Sequence, residues 1–393
     1  MRTLLWLVFA ASAFAGEAKL AGKPWHRYTI DDTSQGADGV KLIDVNTDGR
    51  PDVVTGWEEG GVVRAYFNPS RVDSKSPWRQ VTVGRVKSPE DAVFADLDGD
   101  LRFDVVSACE GNERAMFIHW APKDEDRYWD DDAWRTDVIP ASRNLMMWMF
   151  AVPMQVDGKN GMDIVAGGKG AGAAIGWWEA PKNPRDMEGW KWHPLRSVGW
   201  IMSIYTVDMD GDHDLDILFS DRKGGRTGVY WLENPGGPGE WHEHEVGSKG
   251  REVMFIDVAD ADGDGKMDVI AAVKPREVHV HQRRSKDGTR WESRVVAVPE
   301  VTGTAKSVRV TDVNGDGTPD LLYSAEQTPK GASGVIWMNL DGSYPHDVSG
   351  PEGVKYDLLE LVDLDGDGDL DVLTTEEVAG LGVVWYENPG RVP

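Results

Sequence analysis

Residues Ser307–Ser349 read SVRVTDVNGDGTPDLLYSAEQTPKGASGVIWMNLDGSYPHDVS, and this stretch contains the plan of the chain. Ser307 to Thr311 alternates apolar and polar residues and predicts a strand; Asp312 to Asp320 is an acidic loop; Leu321 to Ala325 is a second strand. Gly334 to Asn339 supplies a third, and a short fourth follows. The acidic cluster ahead of an apolar run recurs seven times, its last carboxylates being Asp52, Asp104, Asp163, Asp216, Asp268, Asp320 and Asp371, at intervals of 52, 59, 53, 52, 52 and 51 residues. A fixed period of this size marks a repeat architecture. Four antiparallel strands in about 50 residues is the size of one blade, so the sequence predicts an all-β fold, a seven-bladed β-propeller of four-stranded antiparallel blades. No segment of helical period competes.

The two ends indicate how the ring closes. The last repeat stops at Trp385-Tyr-Glu-Asn388-Pro389 without a fourth strand, whereas Trp25-His-Arg-Tyr28-Thr-Ile30 has the look of one. The N-terminal strand is therefore expected to complete the last blade, which removes two open sheet edges. Third strands share an aromatic signature, as in Ile175-Gly-Trp177-Trp178, Val229-Tyr230-Trp231, Val335-Ile336-Trp337 and Val383-Val384-Trp385; several fourth strands begin at tryptophan, as at Trp78, Trp134 and Trp291. The 18 tryptophans suggest sugar stacking, but at blade-equivalent positions packing between the wedges is the stronger expectation.

Met1 to Ala15 combines Arg2, an apolar run over Leu4 to Phe9 and the small-x-small ending Ala13-Phe14-Ala15, so a cleaved signal peptide is predicted at 1–15, with one propeller domain over 16–393. A secreted or periplasmic monomer follows from this reading. No cysteine stands at the cleavage point, and no later stretch approaches about 20 uninterrupted apolar residues, so neither a lipid anchor nor membrane insertion is expected. Cys109 is the only cysteine, which excludes an intramolecular disulfide framework. The net charge is -25, and six of the loops alone hold 24 carboxylates. No basic stripe stands out, so a nucleic-acid partner is not expected.

Six loops place oxygen ligands at positions 1, 3, 5 and 9. They are Asp44, Asn46, Asp48 and Asp52; Asp96, Asp98, Asp100 and Asp104; Asp208, Asp210, Asp212 and Asp216; Asp260, Asp262, Asp264 and Asp268; Asp312, Asn314, Asp316 and Asp320; and Asp363, Asp365, Asp367 and Asp371. All-oxygen, carboxylate-rich coordination suits a hard cation of flexible ligand number, hence calcium, with up to six structural ions. An EF-hand would end in Glu at position 12, where this chain has Thr55, Ser107, Phe219, Ala271, Tyr323 and Thr374 between strands, so that reading fails. Leu101 and His213 stand where the other four loops have glycine, which predicts strain in loops 2 and 4. In the third repeat Gln155, Asp157, Lys159 and Asp163 occupy the ligand positions, and Lys159 is expected to keep an ion out.

These six matches in register resemble the bacterial VCBS/FG-GAP repeat family, whose calcium loops and bladed propeller are shared with the integrin alpha head. The resemblance covers Gly39 to Pro389. It implies that each calcium loop joins the first and second strands of a blade and is structural. The literal Phe-Gly and Gly-Ala-Pro elements are absent, so integrin-type adhesion is not implied.

Six residues beyond each position-9 Asp the chain carries a charge in every repeat: Glu58, Glu110, Lys169, Arg222, Lys274, Glu326 and Glu377. Because the ring closes, these form an acidic arc on blades 6, 7, 1 and 2 opposite a basic arc on blades 3, 4 and 5, with Lys223, Arg251, Arg276 and Lys306 nearby. A solvated rim explains charge but not segregation by sign, which suggests a mouth that holds an anionic sugar group. The first expectation is therefore an exported, calcium-stabilised binding or interaction module for a glycan or protein, with anionic glycans at the face opposite the calcium loops. Some polysaccharide lyases resemble this architecture, so a carbohydrate-active enzyme is the alternative, with Glu58 or Glu377 as base and Arg222 as neutralising cation. A purely structural surface protein is the third class. His119, His242, His244, His279, His281 and His346 map to third or fourth strands or their approaches, away from the axis, and His213 lies in a loop, so no zinc site is expected. Cys109 beside Glu110 reads as a packed thiol. The soft run Arg143 to Phe150 reads as core or as the floor of a pocket.

Overall fold

The computed structural model describes residues 20–237 and 239–390; the leader expected at 1–15 lies outside the described residues. Seven four-stranded antiparallel sheets are present, six of them built from strands consecutive in sequence. Blade 1 comprises Ala37–Ile43, Asp52–Trp57, Val62–Tyr66 and Gln80–Gly84. Blade 7 combines Glu360–Val362, Asp371–Glu376 and Gly382–Glu387 with the N-terminal strand His26–Asp31. That strand pairs antiparallel with the third strand, His26 opposite Glu387 and Tyr28 opposite Trp385, so the ends close the ring as the sequence predicts. Among the described residues, no helix is long and apolar enough to cross a membrane.

The strands differ in what they bury. In blades 1, 2, 4, 5, 6 and 7 every residue of the second strand is buried, which is why these segments read as unbroken apolar runs. Fourth strands lie at the outside; Trp291–Ala297 of blade 5 buries only Val296. Tryptophan fills the space between them: Trp57, Trp120, Trp148, Trp178, Trp190, Trp231 and Trp385 are all fully buried. In three blades a third-strand tryptophan stacks on the histidine directly opposite it on the fourth strand: Trp177 on His193, Trp231 on His244 and Trp337 on His346.

First strands surround the axis, and in blades 1 to 6 their pairing with the second strand is interrupted by a register shift. The shift skips Glu90 in blade 2, Met149 in blade 3, Met202 in blade 4 and Lys306 in blade 6. A bulge of this kind re-aims the side chain that it releases. Here it aims that side chain at the channel.

Candidate functional site in the channel and the acidic loops

Each second strand opens on the last carboxylate of an acidic loop, and all seven are buried. Asp52 accepts the amide of Val45 on one oxygen (3.1 Å) and that of Asn68 on the other (2.8 Å). Asp216 and Asp371 do the same with Met209 and Asn234, and with Leu364 and Asn388. The carboxylate thereby ties the loop to the end of the third strand. Burial pushes these carboxyls up, Asp52, Asp163 and Asp320 to about 6, Asp216 and Asp371 to about 7 and Asp104 to about 8.

Ligand oxygens of Asp96, Asp98 and Asp100 lie within 4.8 Å of one another, as do those of Asp208, Asp210 and Asp216, and of Asp260, Asp262 and Asp268. Opposite ligands of a cation bound at about 2.4 Å have this separation, so these residues fit a hard ion. Leu101 (φ 64°) and His213 (φ 81°) adopt the left-handed backbone that Gly49 (84°) and Gly317 (90°) adopt in their loops. Loops 2 and 4 therefore carry the strain expected of them. In blade 3 the side-chain amide of Gln155 donates to the carbonyls of Lys159 and Gly161 and accepts from the amide of Gly158, while the Lys159 ammonium lies 2.7 Å from Asp157. Asp163 still joins Val156 to Ala180, so the carboxylate that pins the blade persists where the cage does not.

At the opposite ends of the second strands lie Glu58, Glu110, Lys169, Arg222, Lys274, Glu326 and Glu377. The amides of Glu58, Glu110, Arg222, Lys274 and Glu377 donate to carbonyls at the approach to a first strand, those of Gly36, Ser88, Trp200, Glu252 and Lys355. Side chains of neighbouring blades then meet. Lys169 pairs with Glu110 and lies 3.6 Å from Glu90; Lys274 pairs with Glu326; Arg222 lies 2.8 Å from Glu252; within blade 7 Lys355 pairs with Glu377. The basic arc is thus joined to carboxylates at both borders. Lys306 lies not with it but among the acids, 2.6 Å from Asp357 and 3.9 Å from Glu326. Burial, with Glu90 and Glu110, pushes Glu58 up to about 7, and burial pushes Glu377 up to about 8 against the pull of Lys306.

Below this mouth a second ring lines the channel. It consists of the residues six positions before each loop: Asp38, Glu90, Met149, Met202, Met254, Lys306 and Asp357. All but Met254 line one small cavity of about 30 Å³, acidic on the side of blades 7, 1 and 2 and soft on the side of blades 3 and 4. Met149 and Phe150 also explain the apolar run before blade 3, which is core and pocket floor together. Further along the axis Lys41, Tyr205, Arg309 and Glu360 face a larger cavity of about 370 Å³. Lys41 is held there by Asp91 (2.6 Å) and the carbonyl of Ala151 (2.8 Å). A count forward from the loops misses this ring; a count backward finds it.

Between blades 3 and 4, half-buried Trp200 carries three cations about its indole, with Lys169 and Arg222 each 4.3 Å and Lys223 4.8 Å from a ring centroid. Its indole N–H is buried without an acceptor. His119 and His281 are buried and bonded to hydroxyls, His119 to Ser107 and Thr136 and His281 to Ser248 and Ser293. Cys109 is a buried free thiol raised by burial.

A family model described as an FG-GAP-like repeat matches residues 44–107, 260–323 and 312–374. The protein is a propeller with FG-GAP-like repeats in three regions. The matched FG-GAP-like segments begin at Asp44, Asp260 and Asp312, the first ligand positions of loops 1, 5 and 6, and run through the next loop into its second strand. They leave out blade 3, where Gln155 and Lys159 stand in place of acidic residues, and loop 4. No curated protein matches the chain.

Proposed function

We propose that this FG-GAP-like propeller is a binding module braced by calcium in its acidic loops, which takes an anionic glycan at the mouth on the opposite face. The observation that supports this reading is the patch around Trp200. A half-buried aromatic plane with three adjacent cations offers a pyranose ring a stacking surface and its carboxylate or sulfate a charge-assisted partner. Lys169 and Arg222 are already engaged by Glu110 and Glu252, and those acids favour a ligand that displaces them over one that merely docks. The test is an array of neutral and acidic glycans probed with the wild type and with Trp200→Ala and Arg222→Ala. Selective retention of acidic sugars, lost in both variants, supports the proposal; equal retention of both classes overturns it.

One observation favours the lyase reading as a second possibility: Glu58, held up to about 7, is poised for proton abstraction at neutral pH. Uronate polymers incubated with the protein would then release unsaturated ends that absorb in the ultraviolet. Absence of that absorbance removes the reading and leaves the binding module standing.

A further inference from the structure

We propose that the acidic side of the channel mouth is a binding site for a hard divalent cation, held by Asp38, Glu58 and Glu90 and separate from the acidic loops. The three carboxylates come from two adjacent blades, and their ligand oxygens all lie within 4.8 Å of one another. That separation is about twice a calcium–oxygen bond, so one ion reaches all three. The adjoining cavity of about 30 Å³ has Asp38, Glu90 and Asp357 in its wall, room for one ion or one water.

Charge compensation singles out Asp38 and Glu58 from the acids beside them, while Glu90 has the Lys169 ammonium at 3.6 Å. Asp357 has the Lys306 ammonium at 2.6 Å, and Glu377 has Lys355. Asp38 is only 8% exposed, yet among the described residues no side-chain cation lies within ion-pair distance of it and no amide or hydroxyl donates to it. Its near neighbours are the carboxyls of Glu90, Asp357 and Glu377, with the Lys306 ammonium beyond ion-pair distance. Glu58 likewise faces Glu90 and Glu110. Around the acidic arc seven carboxylates, Asp38, Glu58, Glu90, Glu110, Glu326, Asp357 and Glu377, surround four ammonium groups, Lys169, Lys274, Lys306 and Lys355. The remaining negative charge is concentrated at Asp38 and Glu58, neither of which pairs with a lysine among the described residues. A buried carboxylate without a counter-charge, as at Asp38, is unfavourable, and a divalent ion coordinated there supplies that charge.

The site differs from the loops in where its ligands sit. The loops draw theirs from one continuous turn, whereas Asp38 comes from a first strand beside its register shift, Glu58 from a second-strand end and Glu90 from the bulge of the next blade's first strand. An ion there would link blade 1 to blade 2 at the axis and leave its outward positions open to oxygen atoms of a ligand.

The experiment is equilibrium dialysis of the full chain against calcium, with the metal counted per chain by elemental analysis, for wild type, Asp38→Asn and Glu58→Gln. Near-ultraviolet circular dichroism checks that each variant is folded. We expect Asp38→Asn to bind one ion fewer than wild type at saturation, with the loop ions retained. Glu58→Gln lies at a half-exposed strand end, so it keeps the fold even if Asp38→Asn does not, and we expect it to weaken one class of ion by about tenfold or more. Ion counts and affinities equal to those of wild type in the folded variants overturn the proposal. An unfolded Asp38→Asn leaves the decision to Glu58→Gln alone.

Discussion

Tyr28 stacks on Trp385 where the two ends of the chain meet, with ring centroids 4.6 Å apart and planes inclined by 26°. The two residues are direct register partners, the fourth strand against the third, and Trp177–His193, Trp231–His244 and Trp337–His346 are the corresponding pairs in blades 3, 4 and 6. The closing strand therefore reproduces an internal packing solution with a tyrosine in the place of histidine. It adds a hydrogen bond from the Tyr28 hydroxyl to Glu387 at 2.9 Å.

Closure should be measurable through this pair. Tyr28→Ala is expected to cost about 2 kcal/mol in denaturant unfolding, combining lost burial and lost stacking. Tyr28→Phe keeps the ring and loses only the hydrogen bond, so it should cost less than about 1 kcal/mol. Equal losses in the two variants would show that the stack does not hold the seam.

Two strained loops give a prediction of the opposite sign. Leu101→Gly and His213→Gly should each stabilise the protein by roughly 1 kcal/mol, because a side chain at positive φ is relieved of its clash with the following carbonyl. Gly317→Ala, at φ 90°, should destabilise by a similar amount. Thermal melts of the three variants in one buffer check the signs.

Blade seams depend on missing side chains. A Cβ on Gly84 would stand 2.1 Å from the ring of His119 in the next blade, and one on Gly247 would stand 2.4 Å from the ring of His281. Gly84→Ala is expected to cost about 1–3 kcal/mol, as overpacking does. Adding His119→Ala should recover part of that loss, so the double variant is more stable than the sum of the two changes allows.

Burial lowers His119 and His281 to about 3, which gives the seams a pH dependence. Between about pH 6.5 and 3 the unfolded chain binds a proton at each site that the folded chain refuses, so this contribution is intact above 6.5 and is lost as pH falls. Raised carboxyls elsewhere act in the opposite direction, so the quantity to measure is the difference between wild type and His281→Gln. Wild type should lose stability relative to the variant on acidification; a flat difference would mean that the buried imidazole is not what titrates.

Chelation supplies the last test. Each ion held at 100 times its dissociation constant adds about 2.7 kcal/mol, so removing calcium should lower the melting temperature. At position 9 burial raises Asp268, and raises Asp52, Asp104, Asp216, Asp320 and Asp371 to between about 6 and 8, so the ion-free fold holds protons that the unfolded chain releases. Its stability therefore falls as pH rises through that range, whereas calcium displaces the protons and gains with pH. The calcium-dependent shift in melting temperature should grow from pH 5 to pH 8.

Most of the fold is legible in the spacing of seven aspartates. Asp52 and its counterparts open buried strands, and a loop of alternating carboxylates followed by an apolar run has few other ways to satisfy its polar groups. Closure at Trp25 to Ile30 was readable for the same reason, since the last repeat lacked its fourth strand. The charged strand ends were readable as a ring but not as partners. Nothing in the order of residues says that Lys169 meets Glu110, or that Lys306 joins the acids, because those pairs form across blade boundaries.

What the sequence by itself determined is the repeat: its period dictates seven like sheets, and local chemistry within each period dictates loop, strand and turn. The channel is what only the tertiary structure decided. Asp38 and Glu90 lie 52 residues apart in the chain, on first strands whose bulges turn side chains toward the axis, and no local rule counts charges across that distance. Ring closure alone brings them together, because electrostatic energy depends on separation in space, and the circle sets that separation.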